Sequence, residues 1–319
     1  MQVYVIQRLL LVPVTLFGVT VVVFGLVRLI PGDTVDQVAG EFASFDPELG
    51  EKLREEYGLS ASIPQQYAQW LGDLFEGDLG KSLLSQRSVL DELRHRLPVT
   101  FELGAIGLFM SLLIAVPVGI ISAVRQDTLI DYVFRGGAIA LLAIPGFWIA
   151  IIIITLGARW FLWAPPLQYT GFLTDPLANL RIVWLPALLL GLGLSGAVMR
   201  LTRTQMLEVL RQDYIRTAWA KGLTERTVIA RHALKNALIP IVTIIGLQVP
   251  VLVGGTVILE QVFSLPGVGR YLVSSTAARD YPVIQGVNLL IASVVILSNL
   301  VVDLTYAYLD PRVRYGAAR

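Results

Sequence analysis

Two glycine-rich motifs have the residue types that bind phosphates, but neither has the context that this chemistry needs. Residues 77–82 read GDLGKS and residues 191–196 read GLGLSG. A phosphate loop requires a glycine where Phe75 stands, and a dinucleotide fingerprint requires a strand, a turn and a helix. No strand is predicted before the first motif, and the second lies inside a long apolar segment. We therefore predict a turn at 77–82 and, at 191–196, a face that either packs closely against another helix or lines a translocation pathway.

Residues that catalyse reactions or bind metals are otherwise scarce. The 319-residue chain has no cysteine and two histidines, His95 and His232. Disulfides, thiolate metal sites and cysteine nucleophiles are excluded, and two histidines are too few for a histidine-rich metal site. An intramembrane serine protease is excluded as well, because neither histidine lies in an apolar segment and G-x-S-x-G is absent. We predict no catalytic residue, metal site or bound cofactor in this chain.

The segment 213–222, DYIRTAWAKG, has the pattern of a short amphipathic helix. Tyr214, Ala218 and Lys221 recur at helical spacing. Asp213 is a plausible N-cap, and Gly222 is a plausible helix end.

Two uses of such a helix remain open from these residues alone. It could lie on anionic lipid, or it could dock against another protein. The small residues Thr217, Ala218 and Ala220 favour docking, because a lipid-binding face usually carries bulkier side chains.

The composition indicates that membrane-spanning helices position this segment. Hydrophobic residues make up 55% of the chain and charged residues 15%, with a mean hydropathy of +0.68. Soluble domains carry about 25% charged residues, and a spanning helix needs about 20 apolar residues. We predict an all-α membrane protein with six transmembrane helices. They lie at about 9–30, 100–124, 133–157, 182–206, 238–260 and 284–308. The first apolar run is too long for a cleaved signal, so it is predicted to be retained.

Loop charges predict the orientation. The 200–237 loop has eight basic and three acidic residues, whereas 31–99 has thirteen acidic and six basic residues. The positive-inside rule places the loop and both termini in the cytoplasm. We divide the chain into an N-terminal helix (1–30), a small external cap (31–99) and a core of five spans with the cytoplasmic loop (100–319). Short cap helices are predicted near 47–57 and 64–75.

Ionisable residues in the spans argue against an ion-driven carrier. Glu102 and Glu260 lie near the outer ends of spans two and five, and Asp303 lies near the inner end of span six. A proton relay would need charges nearer the membrane centre, where none is found.

The cytoplasmic loop resembles the permease subunits of bacterial ABC importers. Their signature is E-A-A, three residues, glycine, nine residues and I-x-L-P. Residues 216–218 stand at E-A-A, and 232–235 stand at I-x-L-P, so only Ala218, Gly222 and Leu234 match. Five further segments resemble the dipeptide/oligopeptide permease branch of this family much more closely. They are 8–33, 77–83, 216–240, 260–286 and 302–315, which together extend over essentially the whole chain.

This resemblance implies the fold and the partners. The fold would be that of a type I ABC importer permease with a cap between helices 1 and 2. A second homologous permease would complete the translocation path in the bilayer of the cell's inner membrane. Two cytoplasmic ATPases would bind ATP and magnesium, and an extracytoplasmic binding protein would deliver the solute. No nucleic acid is expected among the partners.

The resemblance also implies candidate site residues. Those for ATPase docking are Tyr214, Arg216, Thr217, Ala218, Lys221 and Gly222. Those for the translocation path and its outer gate are Glu260, Phe263, Pro266, Gly267 and Gly269. The proline and glycines predict either a sharp re-entrant turn or a plain connecting loop there. The Arg279–Asp280 pair is read either as a structural ion pair or as a substrate contact.

Di- or oligopeptides are the expected solutes, with glutathione, a nickel chelate or an oligosaccharide as alternatives. An ion-driven carrier or channel and a membrane scaffold are the remaining hypotheses.

Overall fold

The computed structural model describes residues 2–29, 35, 51–52, 54–55 and 58–309. Regular structure in these ranges is helical, apart from one antiparallel bridge between Lys81 and Ser88. The predicted all-α fold is confirmed. The predicted helix at 47–57 lies largely outside the described residues.

Eleven helices are labelled in chain order within the described residues. They are α1 (Gln2–Arg28), α2 (Ile63–Phe75), α3 (Val89–Val124), α4 (Leu129–Ala143), α5 (Gly146–Phe161), α6 (Pro176–Leu210), α7 (Asp213–Ala220), α8 (Leu234–Leu247), α9 (Val249–Val262), α10 (Val268–Ala277) and α11 (Tyr281–Leu309). A helical turn at Glu225–Thr227 and a π-helix at Val228–Ala233 lead into α8.

Four of these helices are long and apolar enough to cross a membrane within the described part of the chain. They are Val5–Arg28 of α1, α3, α6 and Tyr281–Thr305 of α11. Helices α4 and α5 meet at 90° and provide a fifth span if the bent pair counts as one. The expected helix at 133–157 is broken there because Pro145 disfavours a helical conformation at Ile144, which has ψ of 118°. The sixth predicted span, 238–260, is divided between α8 and α9, so a total of six remains a prediction.

The chain forms two compact units. Unit 1 contains Met1–Thr100 and Pro266–Leu300, and unit 2 contains Phe101–Leu265 and Val301–Arg319. In unit 1 the rings of Phe24, Tyr67 and Trp70 pack together, with Phe24 and Tyr67 centroids 5.2 Å apart. The hydroxyl groups of Tyr67 and Thr20 are hydrogen-bonded at 2.9 Å. These contacts hold α2, the cap helix of the segment predicted to lie outside the membrane, against the C-terminal third of α1.

Helix α6 is the central element of unit 2 and packs against α4, α5, α8 and α9. Two of its glycines allow close approach of neighbouring backbones. A Cβ atom on Gly191 would lie 2.6 Å from the carbonyl oxygen of Gly107 in α3, and one on Gly196 would lie 2.7 Å from that of Ala138 in α4. The GLGLSG motif is therefore a helix-packing motif, which is one of the two alternatives that its sequence context predicts.

Candidate functional site

Helix α7 is eight residues long and lies in the basic loop where a short helix was predicted. Gln212 stands at the N-cap, and its side chain makes no capping hydrogen bond. Asp213, which the sequence suggested as the cap, is instead the first helical residue. Its carboxylate still lies near the positive end of the helix dipole, where a negative charge is favourable.

The end of α7 is a Schellman motif that requires Gly222. The Gly222 amide donates to the Trp219 carbonyl at 2.9 Å, and the Leu223 amide donates to that of Ala218 at 3.4 Å. Gly222 has φ of +76°, which L-residues adopt at a cost of about 1–2 kcal/mol. Leu223 and Ala218 belong to one apolar cluster, and such a contact commonly accompanies this motif. Gly222 thus fixes both the end of α7 and the direction of the following chain.

One side of α7 is fixed in the core of unit 2. Ile215 is fully buried and Ala218 is 6% exposed. Both pack in a cluster with Ala123 of α3, Met206 of α6 and residues of the π-helix and α8. The Ala218 side chain therefore faces inward, and it seats the helix instead of presenting a surface for docking.

The opposite side of α7 is open. Tyr214, Arg216, Thr217, Trp219 and Lys221 are all exposed in this chain. The Arg216 guanidinium lies 3.2 Å from the Asp213 carboxylate, but both groups are so exposed that this pair adds little stability. Trp219 is the large exposed side chain of α7 that the predicted docking set omitted. Its signal in the sequence was a bulky aromatic residue among small ones.

A hydrogen bond fixes the ring of Tyr214 on this face. Its hydroxyl accepts a hydrogen bond from the Asn236 side-chain amide of α8 at 2.8 Å. Helices α7 and α8 are thus joined at the surface as well as through the apolar cluster.

A buried ion pair braces the helices on which α7 sits. Asp131 of α4 is fully buried and forms a bidentate pair with Arg203 of α6, with N–O distances of 2.8 and 2.7 Å. The Ser122 hydroxyl of α3 also donates to Asp131, at 2.5 Å. Ser122 and Arg203 lie one and three residues from Ala123 and Met206, which contact α7 in the apolar cluster. The sequence placed Arg203 among the loop residues, so this pair was missed. The only sign of this pair in the sequence was the carboxylate of Asp131 within an apolar segment.

The predicted gate residues belong to two different units. Glu260 and Phe263, at the end of α9, are buried in unit 2, and Ser264 after them has φ of +56°. Pro266, Gly267 and Gly269 begin the α10 region of unit 1. The gate therefore remains a prediction.

Glu102 is held by a polar cluster of unit 2. The Tyr169 hydroxyl donates to the Glu102 carboxylate at 2.7 Å, and the Asn179 amide donates to the Thr170 carbonyl at 2.9 Å. Burial raises the pKa of Tyr169, and the hydrogen bond to Glu102 raises it further. The phenol therefore stays protonated as a donor, and Glu102 is part of a loop anchor.

Asp280 fastens the GDLGKS turn within unit 1. Its carboxylate accepts hydrogen bonds from the Ser82 hydroxyl at 2.6 Å and from the Leu83 amide at 3.1 Å. Gly77 and Gly80 have φ near +80°, with values of 82° and 81°. This segment is a turn, as predicted, and Asp280 has a structural role there.

Comparisons with known proteins show the family of the chain. Residues 115–315 match the model of the binding-protein-dependent transport system inner membrane component, and residues 1–104 match that of the N-terminal part of such components.

Curated relatives match nearly the whole chain. The dipeptide transport system permease protein DppB of Escherichia coli K12 is 39% identical over 98% of both chains. That of Alkalihalophilus pseudofirmus is 38% identical over 99% of this chain and 100% of its own. A Brucella abortus protein named as a permease of a peptide transport system is 40% identical over 95% of this chain and 96% of its own.

A solved structure shares the fold. A chain of the MetNI methionine ABC transporter, in an inward-facing conformation, has a TM-score of 0.50 and 15% identity, covering 67% of this chain and 96% of its own. The matches to the two family models and to the full-length relatives establish the family of the chain. It belongs to the family of inner-membrane components of binding-protein-dependent transport systems.

Proposed function

We propose that this chain is the permease subunit of an ATP-driven importer and forms half of the translocation path for di- or oligopeptides. The observation that carries the proposal is α7, an exposed helix fixed by its other face to three elements of unit 2. A docked protein that moves α7 must also move α3, α6 and α8, because all four share one apolar cluster. Such a helix can transmit the motion of a cytoplasmic motor to the membrane helices.

The ATPase contacts are assigned to the exposed side of α7. Tyr214 and Trp219 supply aromatic surface of the kind found at binding hot spots. Arg216 and Lys221 supply positive charge for acidic groups of the ATPase, which would favour correct docking. Gly222 ends α7 and so sets the direction of the chain that follows this face. Ala218 holds the helix against the core of unit 2. ATP and magnesium would bind in the ATPases and not in this chain.

The partner subunits of the transporter follow from this role. A second homologous permease completes the path, two cytoplasmic ATPases dock on the two coupling helices, and an external binding protein brings the solute. Both termini and α7 face the cytoplasm, consistent with the basic loop. ATP binding closes the ATPases, draws the coupling helices together and opens the path outward. Hydrolysis resets it.

The peptide assignment rests on the names of three relatives near 40% identity over almost the full chain. A dipeptide uptake assay tests it directly. Cells lacking the chain should lose uptake of a labelled dipeptide, and the wild-type gene should restore it. Unchanged dipeptide uptake with loss of glutathione, nickel or oligosaccharide uptake would reassign the solute and leave the transport role intact.

The energy source needs a separate experiment. The assembled complex in proteoliposomes should import peptide only with ATP and the binding protein. Transport by this chain alone, driven by an ion gradient and indifferent to ATP, would contradict the proposal.

A further inference from the structure

Unit 1 contains a cavity of about 180 Å³ between the C-terminal end of α1, the cap helix α2 and the start of α11. Eight buried side-chain polar atoms in the described residues have no hydrogen-bond partner, and four of these belong to side chains that line this cavity. They are Arg28 Nε, Gln66 Oε1, Trp70 Nε1 and Gln285 Nε2. Folded proteins leave few such atoms, and each needs an explanation. Their concentration around one cavity points to a ligand.

The surrounding contacts settle the direction of Gln66. Its amide nitrogen donates to the carbonyl groups of Leu59 and Ala61, at 3.0 and 2.7 Å. Since both partners are acceptors, the nitrogen must face them, and the side-chain oxygen is left as an acceptor. Gln285 is 4% exposed and lies in the first turns of α11, so water does not reach its free amide group.

Aromatic rings hold the cationic group beside the cavity. The Arg28 guanidinium lies 5.0 Å from the ring centroids of both Phe24 and Tyr281. Trp70 in turn packs against Phe24, with ring centroids 5.8 Å apart. These contacts place two donors, Arg28 Nε and Trp70 Nε1, in one aromatic environment.

The polar groups fit a zwitterion. Arg28, Trp70 and Gln285 supply three hydrogen-bond donors, one of them on a cation, and these suit a phosphate. Gln66 supplies an acceptor, and Asp73, one of the residues that line the cavity, lies on the same face of α2. An acceptor and a carboxylate together suit an ammonium group. Phosphoethanolamine carries both charges, separated by two carbon atoms.

The position of the cavity indicates a lipid as the source of this group. Tyr67 of α2 contacts Thr20, which precedes Arg28 by eight residues, or about 12 Å along a helix. The cap helix therefore lies beside the last third of the candidate span Val5–Arg28, and Arg28, at the end of that span, is where the headgroup region of a bilayer is expected. Leu26 and Leu29 beside Arg28 are exposed, as acyl-chain contacts require.

We propose that this cavity binds the phosphoethanolamine headgroup of a phospholipid from the outer leaflet. The phosphate is bound by Arg28, Trp70 and Gln285, and the ammonium group by Gln66 and Asp73. All four unpaired atoms are covered in this structure, so binding requires the Arg28, Gln66, Trp70 and Gln285 side chains to reorient as the headgroup enters. The lipid fixes the cap helix to the start of α11 and offers hydrogen-bond partners to four side chains that have unpaired polar atoms.

Native mass spectrometry tests this with the full chain, purified with the subunits that accompany it, from mixed phosphatidylethanolamine and phosphatidylglycerol bilayers. We expect one phosphatidylethanolamine per copy of the chain to survive detergent exchange. The Arg28→Gln/Gln285→Leu variant should retain at least tenfold less. The matched control is Arg94→Gln, which removes an exposed arginine of α3. Equal retention in the double variant and wild type, or no retained lipid in the wild type, would overturn the proposal.

Further experiments distinguish a phosphatidylethanolamine headgroup from other lipids and from soluble phosphoethanolamine. Asp73→Asn should lower retention of phosphatidylethanolamine severalfold, whereas Glu76→Gln, beside α2 and away from the cavity, should not. Equal retention of phosphatidylglycerol would overturn the assignment of an ammonium site. Thermal stabilisation by soluble phosphoethanolamine equal to that by a short-chain phosphatidylethanolamine would overturn the lipid as the source. Trp70→Phe keeps an aromatic ring, although a smaller one, and removes one donor, so its expected severalfold loss tests the site even if the double variant does not fold.

Discussion

Gly222 has the backbone conformation that ends α7, and the space around it is open. A Cβ atom there would meet nothing within 4 Å, so substitution strains the backbone without a clash inside the chain. We expect Gly222→Arg to abolish dipeptide uptake and co-purification of the ATPases. The strained turn would redirect α7, and the arginine side chain would add bulk to its docking face. Membrane insertion should be normal.

Gly222→Asn is the control for this turn, because asparagine tolerates positive φ. It should keep most of the uptake. Normal uptake in the Gly222→Arg variant, measured with a labelled dipeptide, would refute the role assigned to α7.

Arg216 allows a charge test with a matched partner elsewhere in the chain. Both Arg216 and Arg94 are exposed, and each lies 3.2 Å from an aspartate three residues earlier, Asp213 and Asp91 respectively. Arg216→Glu should reduce ATPase co-purification about tenfold or more, because it places a negative charge opposite the acidic groups proposed on the ATPase. Arg94→Glu should leave it unchanged. An equal effect of the two variants would mean that the loss arises from stability and not from docking.

The Asp131–Arg203 ion pair joins helices α4 and α6, so removal of either residue should weaken their packing. Asp131→Ala should destabilise the chain by about 3–5 kcal/mol, because Arg203 would keep its charge in a poorly solvated site without a counter-ion. Thermal unfolding in detergent measures this. The exposed Asp213→Ala change should alter the free energy of unfolding by less than about 1 kcal/mol. Similar unfolding temperatures for the two variants would show that the buried pair is not needed.

Packing along α6 depends on which glycine is changed. Gly191→Val should lower the yield of folded protein, because its side chain would meet the backbone of α3 at 2.6 Å. Gly193→Ala in the same motif should have no such effect, since nothing lies within 4 Å of its Cβ position. Gel filtration of the detergent-solubilised chain distinguishes the two. Equal behaviour would contradict the close approach of α6 and α3.

The orientation of the whole molecule can be tested because the chain has no cysteine. A single cysteine at Ala68, exposed on the cap helix α2, should react with a membrane-impermeant maleimide in intact cells. One at Ala220, exposed on α7, should react only after the cells are opened. Labelling of both positions in intact cells would overturn the predicted topology.

Local chemistry made several features of the molecule predictable. The long apolar runs of α1, α3, α6 and α11 must be helices in lipid, because every backbone group has to be paired within the segment. The short helix α7 and its end at Gly222 were predictable for a similar reason, since capping and left-handed turns depend on neighbouring residues. The family resemblance of this loop and the outer segments was likewise confirmed by the full-length relatives.

Contacts between distant residues decided the rest. Asp131 and Arg203 are 72 positions apart, so no local pattern joins them, and Arg203 looked like one more basic loop residue. Ala218 has the helical spacing of a docking residue, but packing against α3 and α6 turns it inward. The sequence by itself determined the all-α class, the approximate positions of the long apolar helices and which loop is basic, but not the break at Pro145. Only the tertiary structure decided which face of each helix is covered, because that depends on which distant segments pack against it.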